Sequence, residues 1–139
     1  MRWLCALLIV LLALPGLAQE RPQERPPERA LAKPASALAR LDLAQSALRA
    51  EGRDRGKPRP LELTLTLTQP VPYRVYFLDA PPRLVVDFCE VDFAGADAAA
   101  LSGRDLVPAL RWGRFRPGWS RLVTELPGPY ALDQAQQTA

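Results

Sequence analysis

Two segments of this 139-residue chain are versions of one another. Arg83-Leu84-Val85-Val86-Asp87-Phe88 aligns with Arg121-Leu122-Val123-Thr124-Glu125-Leu126 at an offset of 38 residues, and the same offset places Phe77 on Phe115. In each half a phenylalanine is followed by five residues that include proline, then by Arg-Leu-Val, an acid and an apolar residue. Self-similarity at a fixed period indicates one supersecondary unit used twice. Each unit reads as a strand, a proline turn and a second strand. A lone hairpin is marginal in water, whereas two of them facing each other bury both apolar faces. The repeat therefore predicts an all-β fold, a small β-sandwich of two related hairpin units.

The neighbouring sequence extends this reading. Leu61, Leu63, Leu65 and Leu67 alternate with Glu62, Thr64, Thr66 and Thr68, the period of a half-buried strand. Further strands are expected over 73–78, 83–88, 109–115 and 121–126, with another starting at 129–132. Residues 94–101 are alanine-rich and read as one or two helical turns. Alternation puts Arg111 and Phe115 on one face of their strand and Trp112 and Arg114 on the other. Phe115 is expected in the core because it aligns with Phe77. Trp112 and Trp119 fit core and surface equally well.

The first sixty residues differ in kind. Met1-Arg2 precedes an apolar run, Trp3 to Leu14, which Pro15 and Gly16 break; small residues then stand at positions −3 and −1 before Gln19. This is the pattern of a cleaved secretory signal over residues 1–18, and the run is shorter than the roughly 20 apolar residues of a spanning helix. Removal would take Cys5 with it, leave no stable membrane anchor, and leave Cys89 alone, read as a buried small hydrophobe. Residues 19–60 read as a flexible linker, opening with the repeat Gln-Glu-Arg-Pro. Within it, residues 36–50 carry the signals of a short helix, with Ser36 as N-cap and Gly52 as terminator.

Charge and composition exclude several functions. Residues 19–60 hold ten Lys and Arg against six Asp and Glu, while residues 61–139 hold seven against nine. The net +3 of the chain is thus a property of the linker, which weakens a nucleic-acid reading. There is no histidine, so triad chemistry and the usual zinc hydrolase shell are absent. Asp87 and Glu125 occupy matching repeat positions and read as strand residues paired with Arg83 or Arg121, not as an acid–base couple. No cofactor or metal is called for.

One stretch concentrates binding chemistry. Residues 111–121 (RWGRFRPGWSR) carry Arg111, Arg114, Arg116 and Arg121 interleaved with Trp112, Phe115 and Trp119, and no acid. Guanidinium forks beside aromatic faces suit a carbohydrate polymer bearing carboxylates. They also suit single-stranded nucleic acid, which export would exclude. Arg111, Trp112, Arg114, Arg116, Trp119 and Arg121 are the candidate binding residues.

The segments YRVYFLDAPPRLVVDF (73–88), LRWGRF (110–115) and SRLVTEL (120–126) together resemble the AMIN domain, with Arg114 where that family usually has Gln. The resemblance implies a non-catalytic periplasmic β module over residues 61–139, binding or targeting to peptidoglycan. Such modules stand ahead of the zinc domain of N-acetylmuramoyl-L-alanine amidases, where septal targeting is common, and in type IV pilus secretins. It implies peptidoglycan, and division or envelope proteins, as partners. The family pattern would continue beyond Ala139 with further strands and a partner domain, so an incomplete sheet with an open edge is expected. The amidase host is the first reading and the secretin the alternative.

Overall fold

The computed structural model describes residues 5–13, 38–52 and 59–138. Nine strands dominate them: β1 (Cys5–Ala13), β2 (Ala39–Ala50), β3 (Leu61–Leu67), β4 (Tyr73–Leu78), β5 (Arg83–Cys89), β6 (Val91–Asp92), β7 (Ala109–Arg116), β8 (Trp119–Glu125) and β9 (Tyr130–Thr138). They form a five-stranded sheet, order β6-β2-β3-β1-β9, and a four-stranded sheet, order β4-β5-β8-β7. The expected all-β sandwich is observed. Period-two patterning explains it: Leu61, Leu63, Leu65 and Leu67 of one sheet and Leu84, Val86, Phe88 and Leu122 of the other are buried in one shared core.

The two repeat hairpins lie side by side rather than face to face. β5 pairs with β8 antiparallel, and Val85 stands opposite Val123, its own repeat equivalent. A local twofold relation therefore passes between these two valines. The pairs on either side are symmetric: Asp87 opposite Arg121, and Arg83 opposite Glu125. Joined this way the hairpins make one four-stranded sheet, whose inner face the other strands cover.

The repeat breaks down in the outer strands, for a reason of loop length. β4 and β5 are joined by four residues, 79–82, while β7 and β8 are joined by Pro117 and Gly118 alone. Gly118 has φ 75°, which suits glycine at that tight turn. Phe77 stands opposite Leu84, and the residue opposite the equivalent Leu122 is Trp112. Trp112, not Phe115, thus takes the place of Phe77 against the core. Phe115 is 38% exposed, which corrects its expected burial.

Two other expectations change. Residues 39–50 form strand β2, not the helix read over 36–50. Pairing of Leu41 with Leu67 and of Leu48 with Leu63 overrides the local pattern, and a bulge between Asp42 and Ala47 absorbs the mismatch. At that bulge the Ser46 hydroxyl donates to the Asp42 carbonyl and accepts from the Thr66 amide. This strand lies inside the stretch read as linker; the Gln-Glu-Arg-Pro repeat lies outside the described residues. The last strand runs on to Thr138, because as an edge strand it tolerates the polar Gln134, Gln136 and Gln137. The alanine-rich segment gives one 3₁₀ turn, Ala98–Ala100, within the one or two expected, and a second turn, Arg104–Leu106, follows it. Residues 5–13 form β1, between β3 and β9, while the cleavage signature at 16–19 lies outside the described residues.

Gly103 docks the turn region onto β2. The Leu48 amide donates to the Ser102 carbonyl at 2.8 Å, and a Cβ on Gly103 would lie 1.8 Å from the Leu48 carbonyl oxygen. Its φ is 80° as well. Gly103→Ala is therefore expected to cost at least about 2 kcal/mol in urea unfolding. A variant of unchanged stability would contradict this packing.

Candidate functional site

The solvent face of the four-stranded sheet is built from the residues that alternate with its core positions. β4 contributes Arg74 and Tyr76, β5 contributes Asp87, β8 contributes Trp119 and Arg121, and β7 contributes Arg111 and Phe115. Across the strands, Arg74, Asp87, Arg121 and Gly113 form one row. Asp87 is its centre. Its carboxylate accepts from Arg74 Nη2 at 2.7 Å, from Arg121 Nε at 2.7 Å and from Arg121 Nη2 at 3.1 Å. The two guanidiniums roof it, so Asp87 is 0% exposed although it points away from the core.

The electrostatics follow from that geometry. Burial alone would push the Asp87 carboxyl upward, but hydrogen bonds from Arg121 and Arg74 outweigh it, and its pKa falls below the ordinary carboxylate value. The arginines are raised in turn, first by their hydrogen bonds to Asp87. The equivalent acid, Glu125, faces Arg83 and Ala109, and Arg83 Nε donates instead to the Pro81 carbonyl at 3.3 Å. The repeat thus supplies two acids, but only one has a second arginine, because the place of Arg74 is taken by Ala109 in the other hairpin.

From Asp87 the face continues as alternating cations and rings. The Arg121 guanidinium lies 4.0 Å from the centre of the Phe115 ring. Arg116 lies 5.3 Å from the same ring and 5.0 Å from that of Trp119. Arg74 lies 5.3 Å from the ring of Tyr76. Arg121 is held in the ion pair, whereas Arg116 is exposed and keeps its donors for solvent or ligand.

The six candidate residues divide accordingly. Arg116, Trp119 and Arg121 gather on this face with Phe115. Arg111 is exposed on the same face, opposite Val123. Trp112 turns inward: it stacks on Phe93 with centroids 5.3 Å apart, and its Nε1 donates to the Ala96 carbonyl at 2.8 Å. It is a packing residue that also lines a cleft of about 660 Å³ at the β7 edge, together with Arg114, Asp92 and Asp97. Arg74, Tyr76 and the burial of Asp87 were not singled out from sequence. The signal was available for the first two: Tyr73, Val75 and Phe77 face the core, so Arg74 and Tyr76 must share the other side.

Other chemistry is sparse. Burial first, then neighbouring Glu90, pushes the half-buried Cys89 thiol up, away from thiolate reactivity. Among the described residues no three His, Cys, Asp or Glu side chains gather as a metal site, and no helix is long and apolar enough to cross a membrane.

The polar chemistry of this sandwich spreads over the solvent-facing side of one sheet rather than into an enclosed centre. The chain belongs to the AMIN domain family, whose model matches residues 47–138. Domains of this family are non-catalytic modules that bind or target peptidoglycan, found in periplasmic proteins such as amidases and secretins. No curated protein and no solved structure matches the chain.

Removing the Asp87 charge should destabilise the sheet. Asp87→Asn is expected to cost roughly 2–3 kcal/mol, less than for wholly buried pairs because Arg74 and Arg121 keep solvent contact. With a folded pKa below the unfolded one, the Asp87 contribution is full above the ordinary carboxylate range. It is lost as pH falls through the lowered pKa. Urea midpoints measured against pH should therefore fall more steeply in acid for the parent than for Asp87→Asn; parallel curves would contradict the assignment.

Proposed function

We propose that this chain is an exported peptidoglycan-binding module, cleaved after residue 18, that delivers an N-acetylmuramoyl-L-alanine amidase to the cell wall. The observation that carries this reading is the row Arg121, Phe115, Arg116 and Trp119 on the open face of the sheet. Rings of this kind stack on the apolar faces of sugar rings, and free guanidinium donors meet the carboxylates of lactyl and peptide groups. Arg111 and Arg114 add positive charge on either side of the same edge strand. Recognition is of a repeating surface polymer, so a flat platform serves better than a deep pocket. Catalysis belongs to a separate histidine-bearing zinc domain; the chain itself binds.

Retention of the purified chain on isolated sacculi tests this, against a control domain of similar charge. Arg114→Glu with Arg116→Glu should weaken retention and reduce its sensitivity to salt, since fewer charge contacts remain to be screened. Unchanged retention with the fold intact removes the arginine row as the binding surface. The chain alone should release no fragment from labelled peptidoglycan with or without added zinc; zinc-dependent release would overturn the division of labour.

A further inference from the structure

The cleft of about 660 Å³ lies beside β7, the strand at one edge of the four-stranded sheet. β7 itself forms one wall and contributes Arg111 and Arg114. The chain from β6 to the first 3₁₀ turn forms the other wall and contributes Asp92 and Asp97. Trp112 closes the bottom, stacked on Phe93 and tied through Nε1 to the Ala96 carbonyl. Two cations and two acids thus share one opening.

These four charges do not neutralise one another. Among the described residues, ion pairs join Asp87 to Arg74 and to Arg121, and none joins two of the four. The Asp92 carboxylate accepts from the Ala94 amide and that of Asp97 from the Ala99 amide, each through Oδ1 at 2.9 Å. Each acid keeps its second oxygen for solvent or ligand. A purely anionic ligand would be repelled by the aspartates, and a purely cationic one by the arginines. A ligand that carries both an ammonium and a carboxylate satisfies both walls.

The cleft is continuous with the open face of the sheet. Arg111 belongs to both, and so does Gly113, which lines the cleft and stands in the outward row with Arg121. Nothing inside the fold calls for glycine at this position. Its φ lies outside the left-handed region, and an added Cβ would meet no atom within 4 Å. Glycine weakens a strand, and it occurs where another chain approaches the backbone closely. Between Arg111 and Phe115 it leaves a gap in the side chains, through which a branch can pass from face to cleft.

We propose that this cleft is a subsite for the diamino-acid end of a peptidoglycan stem peptide, with its ammonium held by Asp92 and Asp97, its carboxylate by Arg111 and Arg114, and its chain crossing β7 at Gly113. The assignment rests on the wall-binding reading and divides the polymer between two surfaces. The rings and cations of the face take the glycan, and the cleft takes the branch. Phe115, Arg116, Trp119 and Arg121 include no counterion for an ammonium group, so the acids of the cleft supply recognition that this gathering lacks. Contact is at the mouth, among the four charges; the Trp112 indole stays with Ala96 beneath it.

Calorimetric titration of the full chain with three soluble fragments tests this. The first is a disaccharide carrying a tripeptide that ends in diaminopimelate. The second is the same fragment acetylated on the diaminopimelate amine, and the third is the disaccharide without peptide. The parent should bind the first at least about fivefold more tightly than the second, the worth of one or two exposed charge pairs. With Asp92→Asn and Asp97→Asn together, the side-chain amides still offer acceptors to Ala94 and Ala99, so the loop persists. That variant should bind the first two fragments alike and the third as the parent does. Gly113→Val should keep or raise the urea midpoint and still weaken binding of the first fragment to a similar degree. Equal binding of the first two fragments by the parent, or a preference that survives loss of both acids, overturns the subsite. So does a Gly113→Val variant that binds the first fragment as the parent does. In each of these outcomes sacculus retention and the peptide-free disaccharide still decide the open face separately. A parent that binds none of the three fragments overturns the subsite, and the face falls with it only if sacculus retention is also lost.

Discussion

The four-stranded sheet turns on the contact between Asp87 and Arg121 across β5 and β8. It is where the internal repeat becomes structure. With Val85 opposite Val123, an arginine four residues before an acid in each copy must meet the acid of the other copy. A shift by one residue would set the apolar face outward and separate Asp87 from Arg121. Asp87, buried beneath two guanidiniums, is the more committed half of this symmetric arrangement, since losing both arginines would leave its charge without water or counterion. The register also sets the proposed binding face. Arg121, fixed by Asp87, lies against Phe115 and so orients the ring beside which Arg116 and Trp119 stand.

Much of this was legible in the sequence. Alternation over 61–67 and 73–78 located β3 and β4, and the repeat located β5 and β8. The aromatic and arginine run of 111–121 fell on the strand pair β7–β8, which carries the proposed binding face. What was not legible has physical causes. Loop lengths differ between the hairpins, so equivalence in β5 and β8 does not carry over to β4 and β7; Trp112 rather than Phe115 became the core residue. β2 has helix-compatible local sequence, and only long-range pairing with β3 makes it a strand. The second arginine on Asp87 depends on strand neighbours that no local pattern specifies.

The separation of roles within one strand is instructive. On β7, Leu110 and Trp112 anchor the sheet to the core, with Trp112 stacked on Phe93, while Arg111 and Phe115 face solvent. The bulge between Arg114 and Arg116 changes the alternation at the end of the strand, allowing Arg116 to join Phe115 beside Trp119. A short tight turn thus converts what would have been a core phenylalanine into part of an exposed platform. The opposite sheet holds this one in place and offers no comparable gathering of rings and cations among the described residues.

The central claim is that this open face meets the wall. Two-dimensional NMR of the labelled protein, titrated with soluble peptidoglycan fragments, tests it most directly. The account predicts that the largest shifts fall on Phe115, Arg116, Trp119 and Arg121, including the Trp119 indole, with Trp112 little affected. Saturating shifts confined to the five-stranded sheet, or no shifts at all with fragments that the sacculus assay shows to compete, would contradict it.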